Sequence, residues 1–305
     1  MPDWLIHLGS GYLVTPSRWR LDPRPLALGL ILPDLSYGLG IFLDKTALLP
    51  PSQGVAELGT MLHTPFSSLA LCLVLALPSL RPGRTFLLLA WGVLLHLLLD
   101  LTQGKVGNGV LLFFPWSCRE VILTPFRWQE GGPALVLQLI SLALCWRWYR
   151  CRRPETLVAP HWFLRAGAGF LLALALGWFC GTQAARLRAE NAHGFGLMAA
   201  TAGNPGTFLA RLNYCGVVWP DPLMVRYGTR NFYVVAPLAR PFLKRGDQIC
   251  LTGTARGATI TADFLSLLPL RQQKEWASLL GFCFLLLLWT AELRGRRGPV
   301  SPSST

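Results

Sequence analysis

The sequence predicts a mainly α, polytopic membrane helical bundle of about five to six spans, with a small β-rich, barrel-like domain inserted ahead of the last span. Three observations lead there. Hydrophobic residues make up 52% of the 305-residue chain and charged residues 14%, with a mean hydropathy of +0.42. Apolar runs recur at 66–80, 85–101, 133–146, 162–181 and 276–291, with an interrupted sixth at 25–43, and about 17–25 apolar residues are what a bilayer core requires. Between 204 and 268 the pattern changes to short β-branched and aromatic runs separated by Gly, Pro and Asp. The organisation follows: a membrane-embedded unit over 1–181, a β-rich domain over 182–275, a transmembrane helix over 276–294 and a polar, disordered tail over 295–305.

The net charge of +13 does not point to nucleic acid. Lys and Arg gather beside the ends of the apolar runs, where membrane orientation places them, so membrane lipids are the expected partners. His7, Ser10 and Thr15 break the first apolar run and no basic segment precedes it, so a cleavable signal peptide is not expected. Cys72, Cys145, Cys180 and Cys283 lie in or beside apolar runs and read as small buried hydrophobes. Cys215 and Cys250 share the polar domain, with a disulfide between them left open.

Taken in order, the chain opens with an apolar piece at 4–14, too short to span, which lies at or re-enters the interface and carries His7. The run at 25–43 has Pro33-Asp34 at its middle; proline removes a helical hydrogen bond, so an irregular backbone lining a polar cavity is expected there, with Asp34 facing the cavity. His63-Thr64-Pro65 then opens a helix, with Thr64 as N-cap and Pro65 at the first position, where its missing N–H is harmless. The helix dipole disfavours imidazolium at His63 and leaves a neutral imidazole for a metal.

The runs at 66–80 and 85–101 are joined by Arg81-Pro82-Gly83-Arg84 and form an antiparallel hairpin, which brings His63 to the same side as His96 and Asp100. These two are four residues apart on one helical face, in hydrocarbon that does not hold such groups without a partner; a shared cation supplies one. Phe114-Pro115-Trp116 reads as an interfacial aromatic segment. The basic cluster from Arg147 to Arg153 reads as cytoplasmic. Parity puts Arg81, Arg84, Arg294, Arg296 and Arg297 on that side, and the His/Asp site and the β-rich domain on the exoplasmic face of the inner (plasma) membrane. Strands are expected at 207–219, 223–227, 231–236, 248–253 and 259–265, enough for a barrel of oligonucleotide/oligosaccharide-binding type.

His7, His63 and His96 fall in the first 100 residues with Asp34 and Asp100, whereas His161 and His193 read as surface residues. Imidazole with carboxylate is the donor set of zinc, or of manganese or iron where oxygen dominates. The expected metal ligands are therefore His7, Asp34, His63, His96 and Asp100, with Asp34, His63, His96 and Asp100 as the catalytic core.

Over roughly its first half the chain resembles the YdjM-like, LexA-regulated, membrane-bound metal-dependent hydrolases. The resemblance rests on His7 and the glycine-containing turn after it, Leu32-Pro33-Asp34, His63-Thr64-Pro65-Phe66-Ser67, His96-Leu97-Leu98-Leu99-Asp100 and Phe114-Pro115-Trp116. The order His, Asp, His, His-x-x-x-Asp is also similar to zinc-dependent phospholipase C and its single-strand nuclease relatives; with no histidine between Leu97 and Pro160, a reduced metal cluster is expected. The resemblance implies a hydrolase that attacks an ester or phosphoester of a lipid or lipid-linked substrate through metal-activated water. The competing classes are a non-enzymatic membrane adaptor and an ion or proton pathway, in which the same cluster is structural.

Overall fold

The computed structural model describes residues 3–16, 22–46, 60–102, 110–119, 121, 132–151, 162–190, 207–227, 230–235, 242–268 and 271–295. Helices α1 (Trp4–Val14), α2 (Pro23–Thr46), α3 (Pro65–Ala76), α4 (Pro82–Leu101), α5 (Gly132–Cys151) and α6 (Trp162–Glu190) precede five strands, and α7 (Arg271–Gly295) follows them.

Among the described residues two helical segments are long and apolar enough to cross a membrane, Pro82–Leu101 and Trp162–Gln183. This corrects the expected bundle of about five to six spans. The run at 66–80 is helical only over Pro65–Ala76, about 18 Å at 1.5 Å per residue, against a hydrocarbon core of about 30 Å. Trp276–Thr290 is likewise a shorter apolar helix. Polar residues dilute the other two candidates: α2 contains Arg24, Asp34, Asp44 and Lys45, and α5 runs into Arg147 and Arg150.

The apolar piece at 4–14, expected to lie at or re-enter the interface, is helical. It is helix α1, buried from Leu5 to Gly9 and packed against α2, α5 and α7. Asp3 caps it, accepting from the Ile6 amide (2.8 Å) and from Gln138 Nε2 (2.7 Å), which ties its start to α5. The Trp4 amide donates to Ser278 Oγ at 3.4 Å and ties it to α7. The expected break at Pro33 does not occur either: α2 is one helix with Pro33 inside it. A proline there normally costs about 3 kcal/mol and leaves the carbonyl four residues earlier without its helical donor. Packing offsets that cost, because α2 lies directly on α4. A Cβ at Gly92 would stand 2.7 Å from the Leu26 carbonyl oxygen, and one at Gly29 would collide with the Leu89 carbonyl, so neither position admits a side chain.

The strands β1 (Thr207–Pro220), β2 (Leu223–Tyr227), β3 (Arg230–Val235), β4 (Gln248–Arg256) and β5 (Thr259–Leu267) close into a barrel in the order β1-β2-β3-β5-β4. The β3–β5 pair is parallel and the rest antiparallel, the Greek-key arrangement of a five-stranded barrel of oligonucleotide/oligosaccharide-binding type. Its core alternates inward along each strand, with Leu212, Val225, Phe232, Ile249, Leu251 and Ile260 buried. No disulfide forms among the described residues, Cys215 and Cys250 included. Arg18, Arg20, Arg152, Arg153, His161, His193, Arg296, Arg297 and the tail from 296 onward lie outside the described residues.

Apolar side chains are exposed along three helices: Leu139 and Ile140 on α5, Phe170 and Leu171 on α6, Leu280 and Leu286 on α7. In α6 only 17% of the candidate span is buried.

Candidate metal centre

Five side chains from four remote stretches of sequence meet at one point, and each is placed by a local device. His96 and Asp100 stand one turn apart in the last turns of α4. His63 sits in the bend before α3, whose start is fixed as the sequence predicts: Thr64 is the N-cap, its Oγ1 accepting from the Ser67 amide at 3.2 Å and donating to the Met61 carbonyl at 2.9 Å. Ser68 Oγ donates to the Leu62 carbonyl at 2.8 Å. The backbone on both sides of His63 is thereby held. Asp34 projects from α2 immediately after Pro33, and His7 from the middle of α1. None of the five is more than 5% exposed.

His63 Nε2 lies 3.2 Å from His96 Nε2, 3.4 Å from Asp34 Oδ1 and 3.0 Å from Asp100 Oδ2; His96 Nε2 lies 3.5 Å from Asp34 Oδ1 and 3.7 Å from Asp100 Oδ2. All four residues offer ligand atoms within 4.8 Å of one another. Donors held about 2.0–2.1 Å from one ion stand about 3.3–3.4 Å apart at tetrahedral corners. The five separations scatter about that edge, so the buried Asp34, His63, His96 and Asp100 group can hold a metal ion.

The surrounding contacts point the donors inward. His96 Nδ1 donates to the Leu30 carbonyl at 2.7 Å, which fixes the tautomer and leaves the Nε2 lone pair facing the cluster. Trp4 Nε1 donates to Asp34 Oδ2 at 3.2 Å, so Asp34 turns its other oxygen, Oδ1, toward the histidines. Burial alone would lower the His63 pKa, but hydrogen bonds to Asp100 and Asp34, with their charges, outweigh it and hold the imidazole above its ordinary value. Two carboxylates buried among these imidazoles favour a positive charge at the centre.

No family model, curated protein or solved structure matches this chain.

His7 reaches the centre but stands outside the four-donor group. Its ring stacks on His96 with centroids 4.0 Å apart and planes at 12°, and its Nε2 is 3.8 Å from Asp100 Oδ1. Asp100 thus presents Oδ2 to the four-donor group and Oδ1 to His7. The Phe114-Pro115-Trp116 segment takes a packing role. Buried Phe114 forms an aromatic triad with Phe66 and Phe179, at 6.2 Å from each. Arg186 of α6 donates to the Pro115 and Trp116 carbonyls, while Glu190 accepts from the Cys118 amide at 2.8 Å and pairs with Arg186. Trp116 itself is 77% exposed.

Two contributors escape a reading of the sequence alone. Trp4 is legible only as one more apolar residue of a short run, and its N–H, which a buried indole must satisfy, is the one signal that could have marked it. The Leu30 carbonyl is a backbone atom and carries no side-chain signature.

Proposed function

We propose that the chain is a membrane-bound metal-dependent hydrolase acting on an ester or phosphoester of a lipid or lipid-linked substrate, with zinc as the resident ion and manganese or iron as the other candidates. The observation that carries this reading is the set of donor separations near a tetrahedral edge, with both histidines presenting Nε2. The motif resemblance to YdjM-like hydrolases supports the reaction class. The exposed apolar helices support residence in a membrane, and the basic residues toward the end of α5 support an exoplasmic site in the inner membrane.

A divalent cation bound by Asp34, His63, His96 and Asp100 would supply Lewis-acid polarisation of a substrate oxygen and a lowered pKa for water at the site. The chain's own residues do the rest. Leu30 fixes the His96 tautomer, Trp4 holds Asp34 to a single inward oxygen, and Asp100 directs Oδ1 at His7, which gives the site an acid–base partner beside the donors. Trp4 occupies Asp34 Oδ2, so Asp34 would offer a single oxygen to an ion held here, whereas Asp100 has one oxygen toward the donors and the other toward His7.

One observation favours a second reading. Four protein donors in a pocket this buried resemble a closed structural site, whereas catalytic zinc usually keeps one position for water. In that case the ion clasps α2, α3 and α4 together in a non-enzymatic membrane protein. Elemental analysis of the detergent-purified chain beside a His96→Ala/Asp100→Ala variant tests the metal, and hydrolysis of lipid phosphoesters by the loaded protein separates the two readings. Stoichiometric metal that the variant loses, with turnover, supports the hydrolase; stoichiometric metal without turnover across ester and phosphoester lipids supports the clasp. No metal in either protein after metal-replete preparation overturns both.

A further inference from the structure

The barrel carries a feature the metal centre does not use. At one end, Trp219 closes β1 and is 52% exposed, and Phe242, ahead of β4, is 84% exposed. Each ring carries a cation. The Arg245 guanidinium lies 5.4 Å from the Trp219 ring centroid, and Lys244 Nζ lies 6.0 Å from that of Phe242. Both cations are exposed. Of the acids at this end, Asp247 accepts the Lys244 amide through Oδ2 at 2.7 Å, while Asp221 is exposed in the β1–β2 turn. Aromatic rings beside long cationic side chains are the composition of protein surfaces at the headgroup layer, where the ring sits among carbonyls and the cation reaches phosphate.

Strand register shows which way this end faces. Gly246 and Asp247 bond to Val217, and the Leu268 amide donates to the Gln248 carbonyl, so the end of β5 lies beside the 242–247 segment. The chain leaves the barrel at that same end and enters α7 at Arg271, and its apolar stretch begins at Trp276. Three residues at their greatest possible length and five helical ones reach at most about 18 Å. The headgroup layer of one leaflet is about 5–8 Å deep, so this connection keeps the barrel end within about 13 Å of the headgroups of a bilayer that receives the apolar stretch of α7. At the opposite end, by the β4–β5 turn around Gly257 and Ala258, the chain enters the barrel at Thr207 after α6, through the longer connection 191–206.

We infer that the barrel end formed by Trp219, Phe242, Lys244 and Arg245 docks on the anionic headgroup surface of the membrane that α7 enters. The inference rests on the membrane residence proposed above and is independent of hydrolysis. Docking seats the barrel against the bilayer, with rings at carbonyl depth and cations on lipid phosphates.

The test uses the full chain in lipid nanodiscs, with the exposed Cys151 and Cys283 changed to serine and a bimane label at Phe242→Cys, which replaces one flat ring with another, or at the control position Ala258→Cys. Headgroup spin-labelled lipid is the quencher. In discs containing phosphatidylglycerol, the label at 242 is expected to lose about half its emission, the label at 258 to be unaffected, and Lys244→Glu/Arg245→Glu to restore the emission at 242. No quenching at 242 in a chain that co-elutes with the discs overturns docking and leaves membrane residence standing. Equal quenching at both positions, or quenching indifferent to the charge reversal, also overturns it. A response at 242 to single-stranded RNA but not to phosphatidylglycerol reassigns this end to nucleic acid. Failure to enter discs at all overturns membrane residence, and docking with it.

Discussion

Replacing Gly92 with alanine puts a methyl group 2.7 Å from the Leu26 carbonyl oxygen and 2.8 Å from the Leu30 amide nitrogen, both backbone atoms of α2 that cannot swing aside. Relaxing the shorter contact from 2.7 Å to an ordinary 3.4 Å requires α2 and α4 to part by about 0.7 Å. The same gap is bridged one turn further on by the hydrogen bond from His96 Nδ1 to the Leu30 carbonyl, 2.7 Å long. Stretched by that amount it reaches about 3.4 Å, beyond the range in which such a bond holds an imidazole in one orientation. Two losses follow. Overpacking costs about 1–3 kcal/mol of stability, and an unfixed ligand tautomer costs about 10–100-fold in metal affinity. Thermal unfolding in detergent with and without chelator measures the first, and competition against a chromophoric chelator the second. A Gly92→Ala protein that melts lower yet binds metal within about twofold of the parent would refute the idea that α2 orients His96.

Trp4→Phe keeps the packing of α1 but frees Asp34 Oδ2; the expected result is about tenfold weaker metal binding with an unchanged helical circular dichroism spectrum, read by the same competition assay. Thr64→Ala removes the cap of α3 and should lower stability by about 1 kcal/mol in the chelated protein, measured by thermal unfolding. Arg186→Gln releases the 113–118 segment, and faster hydrogen exchange at the Cys118 amide is expected, with the metal centre intact. That contact is also pH-dependent. The hydrogen bond from Arg186 lowers the Glu190 pKa, so the clamp is complete above the ordinary carboxylate range and is lost as pH falls through the lowered value; Cys118 protection, corrected for intrinsic exchange, should drop only on acidification below the ordinary glutamate range.

How much of this was written in the chain differs by element. His63-Thr64-Pro65 was legible because capping is local: a hydroxyl, a proline and an amide three residues on settle the start of α3 by themselves. His96 and Asp100 were legible for the same reason, since four residues make one helical turn. The strands were legible to within a few residues, because Gly, Pro and Asp punctuate them. Asp34 was placed at the centre, but in the wrong backbone. Local preference says that Pro33 breaks a helix, and the packing of α2 on α4 through Gly29 and Gly92, separated by 63 positions, overrides it. His7 could be joined to the site only once α1 was known to sink among α2, α5 and α7. The number of spans failed because apolar composition does not report where a helix stops: the run extends past Ala76 through Leu77-Pro78-Ser79-Leu80, where the helix has already ended.

The barrel closes on itself through the parallel contact between β3 and β5. Each described strand has a neighbour on both sides for part of its length only: β1 pairs with β4 over Thr207–Gly216 and with β2 over Gly216–Pro220, so the edges left open are short. Recruitment by strand addition, the usual way an extended peptide latches onto a sheet, finds little room on this domain. Side chains at its ends and on its outer wall therefore make up most of the surface it offers for recognition, and crowding many copies together gives them little edge along which to join.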